Sequence, residues 1–113
     1  MLRTAQSKAE VLQGTLDLIV LRTLESLGPQ HGYSISARIE QVSGGALQLN
    51  MGTLYPALMR LEQRGLIRGK WGATETKRKA RFYEITAAGK RQLEKEKEAW
   101  ERMAAIIHTL LYS

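Results

Sequence analysis

The sequence predicts a mainly α fold with a small β-hairpin, on three observations. Apolar residues recur at helical spacing through residues 14–63, two short runs rich in β-branched and aromatic residues flank a basic loop between 66 and 86, and a heptad seam follows. A length of 113 residues suits one domain, and a hydrophobic share of 43% in regular patterns is enough to close a core. No internal repeat or low-complexity stretch interrupts it.

Residues 1–13 offer few signals beyond Lys8, Glu10, Val11 and Leu12 and are expected to form an arm or a short helix. "GTLDLIVLRTLESLGP" at 14–29 reads as a first helix, with Asp17 early enough to suit the helix dipole and Gly28-Pro29 as its stop. Leu16, Leu18, Ile19, Val20, Leu21, Leu24 and Leu27 cover more than one of its faces, so it needs cover on two sides. "HGYSISARIEQVSGG" follows, with Ile35, Ile39 and Val42 on one stripe and Gly44-Gly45 ending it. A short apolar segment, "ALQLN", leads to Asn50, a sound N-cap for the third helix, "NMGTLYPALMRLEQRGLI". Leu54, Leu58 and Leu61 form the core side of that helix; Gly52, Thr53, Pro56, Met59, Arg60 and Gln63 form the other. Pro56 removes one bond to the carbonyl of Gly52, which predicts a slight tightening there.

After Gly65 the period changes. "LIRGKWG" (66–72) and "RFYEIT" (81–86) read as strands around the polar basic loop "ATETKRKA", with Trp71 expected to cover the core. Thr86 caps a last helix in which Leu93, Trp100 and Ile107 recur every seven residues, Met103 and Leu110 take the intermediate position, and Glu96 is its one polar member.

Composition narrows the function. The absence of cysteine excludes disulfides, thiolate metal sites and a cysteine nucleophile. The longest apolar run, "LIVL" at 18–21, is far short of the roughly 20 residues of a membrane span, and no signal-peptide pattern opens the chain. A soluble cytoplasmic protein with no membrane association is expected. The net charge is +6, and residues 60–91 hold ten Lys and Arg against three Glu, net +7, leaving −1 elsewhere. A polyanion suits such a field, nucleic acid first and an acidic membrane surface second. No glycine-rich phosphate loop, nucleophile elbow or paired carboxylates suggest catalysis, and His31 and His108 stand apart from any ligand-spaced acids, so no enzyme, metal or cofactor is expected.

Three helices, a basic hairpin and a long trailing helix give the order of a winged helix-turn-helix with a C-terminal dimerisation helix. Residues 1–86 would form the DNA-binding domain with its N-terminal arm, and 87–113 the dimerisation helix, in one compact unit. The third helix is then the reader. Asn50 caps it, Gly52 lets its backbone approach, Thr53 offers a hydroxyl and a methyl, and Arg60 adds charge. Lys77, Arg78 and Lys79 on the wing suit phosphate or minor-groove contact more than a mere solubility loop. Tyr33, where the second helix would cross the backbone, is a candidate phosphate contact or plain packing. Two ends of the chain need a partner: the first helix through Leu18 and Leu21, and the last through Leu93, Trp100, Met103, Ile107 and Leu110. The competing class is a winged-helix protein-interaction module without DNA binding, which has no need of the concentrated charge; an RNA-binding sheet would want more stacking aromatics, and Phe82 is the only phenylalanine.

"HGYSI", "GTLYPALMRLEQRGLI" and "ARFYEITAAGKRQL", in this order, resemble the PadR-like (phenolic acid decarboxylase regulator-like) bacterial transcriptional regulators of the short type with a single C-terminal helix, over residues 14–93. The resemblance implies a cytoplasmic homodimer on a palindromic operator, usually a repressor, with the last helix packed on the N-terminal region of the partner. It also favours a phosphate-donating role for Tyr55 over flank packing, and it raises a space at Trp100 for a small aromatic effector against the favoured plainer reading, in which Trp100 simply fills the dimer interface. Many readers of the family begin Ser-Pro-Gly; here "NMG" puts Asn50 at the cap and Met51 in place of the proline.

Overall fold

The computed structural model describes residues 2–113, and side chains from Gly14 onward. Helix α1 (Leu2–Leu27) begins well before the expected start, so Gly14 lies inside it and Asp17 sits mid-helix, away from the dipole role assigned to it. The expected arm is therefore helical backbone from Leu2; Met1 and the side chains of 2–13 lie outside the described residues. Gly28 ends α1 as expected, at φ 78° with its amide bonded to the Leu24 carbonyl.

Strand β1 (Gln30–His31) leads into α2 (Gly32–Val42), whose N-cap is His31: Nδ1 accepts the Ser34 amide at 3.4 Å. Helix α3 (Met51–Gln63) starts on the Asn50 side chain, which accepts the Thr53 amide at 2.9 Å. It stays α-helical through Pro56, without the tightening expected there. Strands β2 (Ile67–Ala73) and β3 (Lys79–Ile85) pair antiparallel from Ile67↔Ile85 to Ala73↔Lys79. The turn between them is closed by the Thr74 amide on the Arg78 carbonyl, with Lys77 at φ 62°.

The sequence did not reveal β1. It pairs with β3 through Gln30↔Tyr83 and His31↔Phe82, giving a three-stranded sheet in the order β1-β3-β2. Thr86 caps α4 (Ala87–Leu111) as expected, accepting the Gly89 amide at 3.0 Å and donating to the Gly65 carbonyl at 2.7 Å. Gly89 must lack a side chain, because a Cβ there would collide with the carbonyl oxygen of Leu66.

Helix α1 runs through the centre, touching α2, α3, β3 and α4. Val20, Leu21 and Leu24 are fully buried there with Ile35, Leu54, Leu58, Leu61, Ile67 and Leu93. Two of the expected interface residues are thereby corrected. Leu21 and Leu93 have no exposed surface, so both serve the chain's own core. Beyond Leu93, α4 leaves the domain and stretches the molecule to 55 Å, with Trp100, Met103, Ile106, Ile107, Leu110, Leu111 and Tyr112 exposed. Among the described residues no helix is long and apolar enough to cross a membrane.

Candidate nucleic-acid interface

A cleft of about 1310 Å³ opens between the first turn of α2 and the β2–β3 hairpin. Tyr33, Tyr55, Arg78 and Lys79, which sequence reasoning placed at separate points of the chain, all line it. Their convergence has local causes. Tyr55 reaches the cleft from α3 because Gly32 opens α2: a Cβ on Gly32 would stand 3.2 Å from the Tyr55 hydroxyl. The β1–β3 pairing then holds the hairpin beside that helix start, and the His31 ring meets Phe82 edge-on at 5.4 Å. Tyr33 is well exposed and Tyr55 half so.

Asn50, Gly52 and Thr53 lie exposed at the start of α3 but outside the cleft lining, and Lys77 stands on the hairpin turn. The Asn50 side-chain oxygen is already committed to its cap. Arg60 departs from expectation. Its guanidinium turns toward the core and binds Asp17 Oδ1 at 2.9 Å, joining α3 to α1. Asp17 is buried, and a buried carboxylate without a cation would be costly, so Arg60 is held by α1 and is not free to meet a ligand at the exposed start of α3.

Two more cations are neutralised: Arg68 pairs with Glu84, and Arg81 with Glu62. Arg64, Lys70, Lys77, Arg78 and Lys79 form no ion pair among the described residues, so the positive field survives chiefly on the hairpin and just after α3. Tyr83, beneath the hairpin, has its phenol pKa pushed up by burial, with the Arg81 guanidinium opposing.

Trp71 was expected to cover the core and instead projects from the hairpin, 61% exposed, with the Lys79 ammonium 5.0 Å from its ring centroid. By strand alternation it shares a face with buried Ile67, but the hairpin has by then run past the edge of the core. It lines the same cleft as the tyrosines. Away from these residues, Leu18 lines a second, apolar groove of about 540 Å³ with Ile19, Ile39, Val42, Leu47 and Leu93.

Comparison with known proteins gives one family. The model of the transcriptional regulator PadR-like family matches residues 20–95. A transcriptional regulator from Clostridium thermocellum superposes with a TM-score of 0.80 at 33% identity, over 88% of this chain and 96% of that one. A PadR family transcriptional regulator from Eggerthella lenta gives 0.78 at 27% identity, over 98% and 95%. A PadR family transcription regulator from Clostridium difficile gives 0.71 at 28%, over 85% and 97%. An uncharacterized 37.1 kDa transposon protein of Streptomyces fradiae is 44% identical over 77 residues, which is 68% of this chain but 21% of that protein.

The Arg60–Asp17 pair yields a test that separates core from interface. Arg60→Ala should cost about 2 kcal/mol in denaturant unfolding, below the range for fully buried pairs because the arginine side chain stays 31% exposed. Any sequence preference in DNA binding should be unchanged. An unaltered unfolding midpoint together with weakened DNA binding would return Arg60 to the interface.

Proposed function

Because the chain belongs to the PadR-like family of transcriptional regulators and is not an enzyme, we propose that it acts in the cytoplasm as a homodimer, binding a palindromic operator in double-stranded DNA as a repressor. The observation that carries this reading is the convergence of Tyr33, Tyr55, Arg78 and Lys79 on one cleft beside the exposed start of α3. A phosphodiester strand fits such a cleft. Phenol hydroxyls and cations supply donors, and the free amides at the start of α2 add their dipole. With the backbone held there, Gly52 and Thr53 reach base edges in the major groove while Lys77 follows the hairpin turn toward the adjoining phosphates. Asn50 contributes by fixing the first turn of the reader. A protein-interaction module without DNA binding would have no use for the unpaired cations on the hairpin.

Residues 1–86 then form the DNA-binding part and 87–113 the dimerisation helix of one unit. The outer half of α4 exposes Trp100, Met103, Ile107 and Leu110 along one helix, and the groove at Leu18 is apolar. Each has surface to bury, and a second copy supplies both at once. A two-fold axis would set the two readers about 34 Å apart, on successive major grooves of one duplex face. Where the two Trp100 rings approach, a small planar aromatic effector could enter between them.

Gel shifts with genomic fragments at rising salt test DNA binding directly. Replacing Lys77, Arg78 and Lys79 by Gln should weaken specific and random binding alike, lowering the salt slope by about 0.9 for each phosphate no longer neutralised. Thr53→Ala should instead flatten the preference at one base position per half-site and leave the slope in place. Full affinity of the hairpin variant at every salt concentration would remove the hairpin from the interface.

The dimer is tested by Ile107→Glu with Leu110→Glu. Sedimentation should report half the native mass, and operator affinity should fall by orders of magnitude, since the half-sites are no longer linked. A variant that stays dimeric would refute the α4 interface. For the effector, a Trp71→Phe chain leaves Trp100 as its one indole. Planar aromatic compounds should quench that fluorescence and release DNA, whereas no quenching by any compound would leave Trp100 a packing residue.

A further inference from the structure

We propose that Glu62 and Arg81 are positioning residues for DNA binding, holding the hairpin at a set angle to the reading helix; the proposal rests on the DNA-binding reading above. Glu62 lies in the last turn of α3, and its Oε2 accepts two hydrogen bonds, from the Gly69 amide on β2 at 3.2 Å and from Arg81 Nη2 on β3 at 2.5 Å. One carboxylate oxygen thus joins the reader to both strands of the wing.

Three features show how specifically the surroundings accommodate this tie. Strand β2 is the outer strand of the sheet, so an outward amide at Gly69 has no strand partner, and Glu62 takes it. Arg81 crosses over Gly69, where any Cβ would collide with its Nε and Cζ, so only glycine leaves the path open. The guanidinium also lies 5.9 Å from the ring centroid of buried Tyr83, while its Nε is buried without a hydrogen bond, a cost accepted in holding the fork toward Glu62.

The hairpin tip projects beyond the core, and Lys77, Arg78 and Lys79 can meet phosphates only if its base is held in register with α3. Glu62 is itself an acid in the most basic part of the chain. Simple electrostatics therefore predicts that neutralising it tightens DNA binding, and a positioning role predicts the reverse. The opposite signs make the test decisive.

Glu62→Gln and Gly69→Ala are compared with the native full-length chain in gel shifts across salt, with melting followed in parallel. Gly69→Ala changes no charge and displaces only the far end of the Arg81 side chain. Each variant should lose about tenfold in operator affinity at moderate salt, with the slope reduced by about 0.9 for each phosphate that the hairpin no longer reaches. The base preference governed by Thr53 should persist, which a general loss of folding would not allow. If Glu62→Gln fails to fold, Gly69→Ala decides the matter alone. Native slope and affinity in a folded Gly69→Ala chain, or tighter binding by Glu62→Gln, would overturn the proposal. A native chain that shifts no fragment would remove the DNA-binding reading and this proposal with it.

Discussion

Burial of α1 on more than one face between Leu16 and Leu24 governs where the other elements can lie. Val20, Leu21 and Leu24 lose all their exposure, and α2, α3, β3 and α4 all reach α1. Full burial of such a side chain contributes roughly 1.5–3 kcal/mol. A helix apolar on one stripe could be satisfied by a single partner. One apolar on more than one face draws helices and the hairpin to several sides, and the relative placement of α2, α3 and the wing follows from that common support.

Polar contacts then refine the placement that burial sets. Asp17 would be an unfavourable intrusion in α1 were it not for Arg60, which brings the cation in from α3. Thr86 works at a junction as well, capping α4 while bonding the Gly65 carbonyl just after α3. Gly89 lets that junction close, with α4 lying directly on the Leu66 backbone. The hairpin base is therefore bounded by α3 on one side and by the start of α4 on the other.

Features encoded by adjacent residues were legible in the sequence. Asn50 and Thr86 cap their helices, Gly28 stops α1, and Leu54, Leu58 and Leu61 turn inward, each through bonds or packing within a few residues or a regular period. Features that need a distant partner were not. Arg60 shares its helix with exposed residues, and nothing nearby announces an acid on α1 as its destination. Strand β1 has two residues, too few for a period, and exists only because β3 offers an edge. Trp71 obeys strand alternation, but alternation does not report where the core ends. The start of α1 was missed for another reason: a helix without a cap signal gives no local mark of its beginning, and Gly14 suggested a false one. Of the candidate site, the tyrosines and hairpin cations could be named from sequence, while their meeting in one cleft depended on β1.

That short strand bears on the order in which the molecule assembles. Gln30 and His31 leave the ribosome before α2 and α3, and their partners Phe82 and Tyr83 come only after both helices. Helical turns form from neighbours and are quick, whereas a ladder between segments so far apart must wait for the intervening chain to collapse. The cleft consequently cannot take shape before β3 has been made. During synthesis, α3 can already be helical while the surface around it is incomplete, so a partly made chain carries that helix without the strand pairing that frames the cleft.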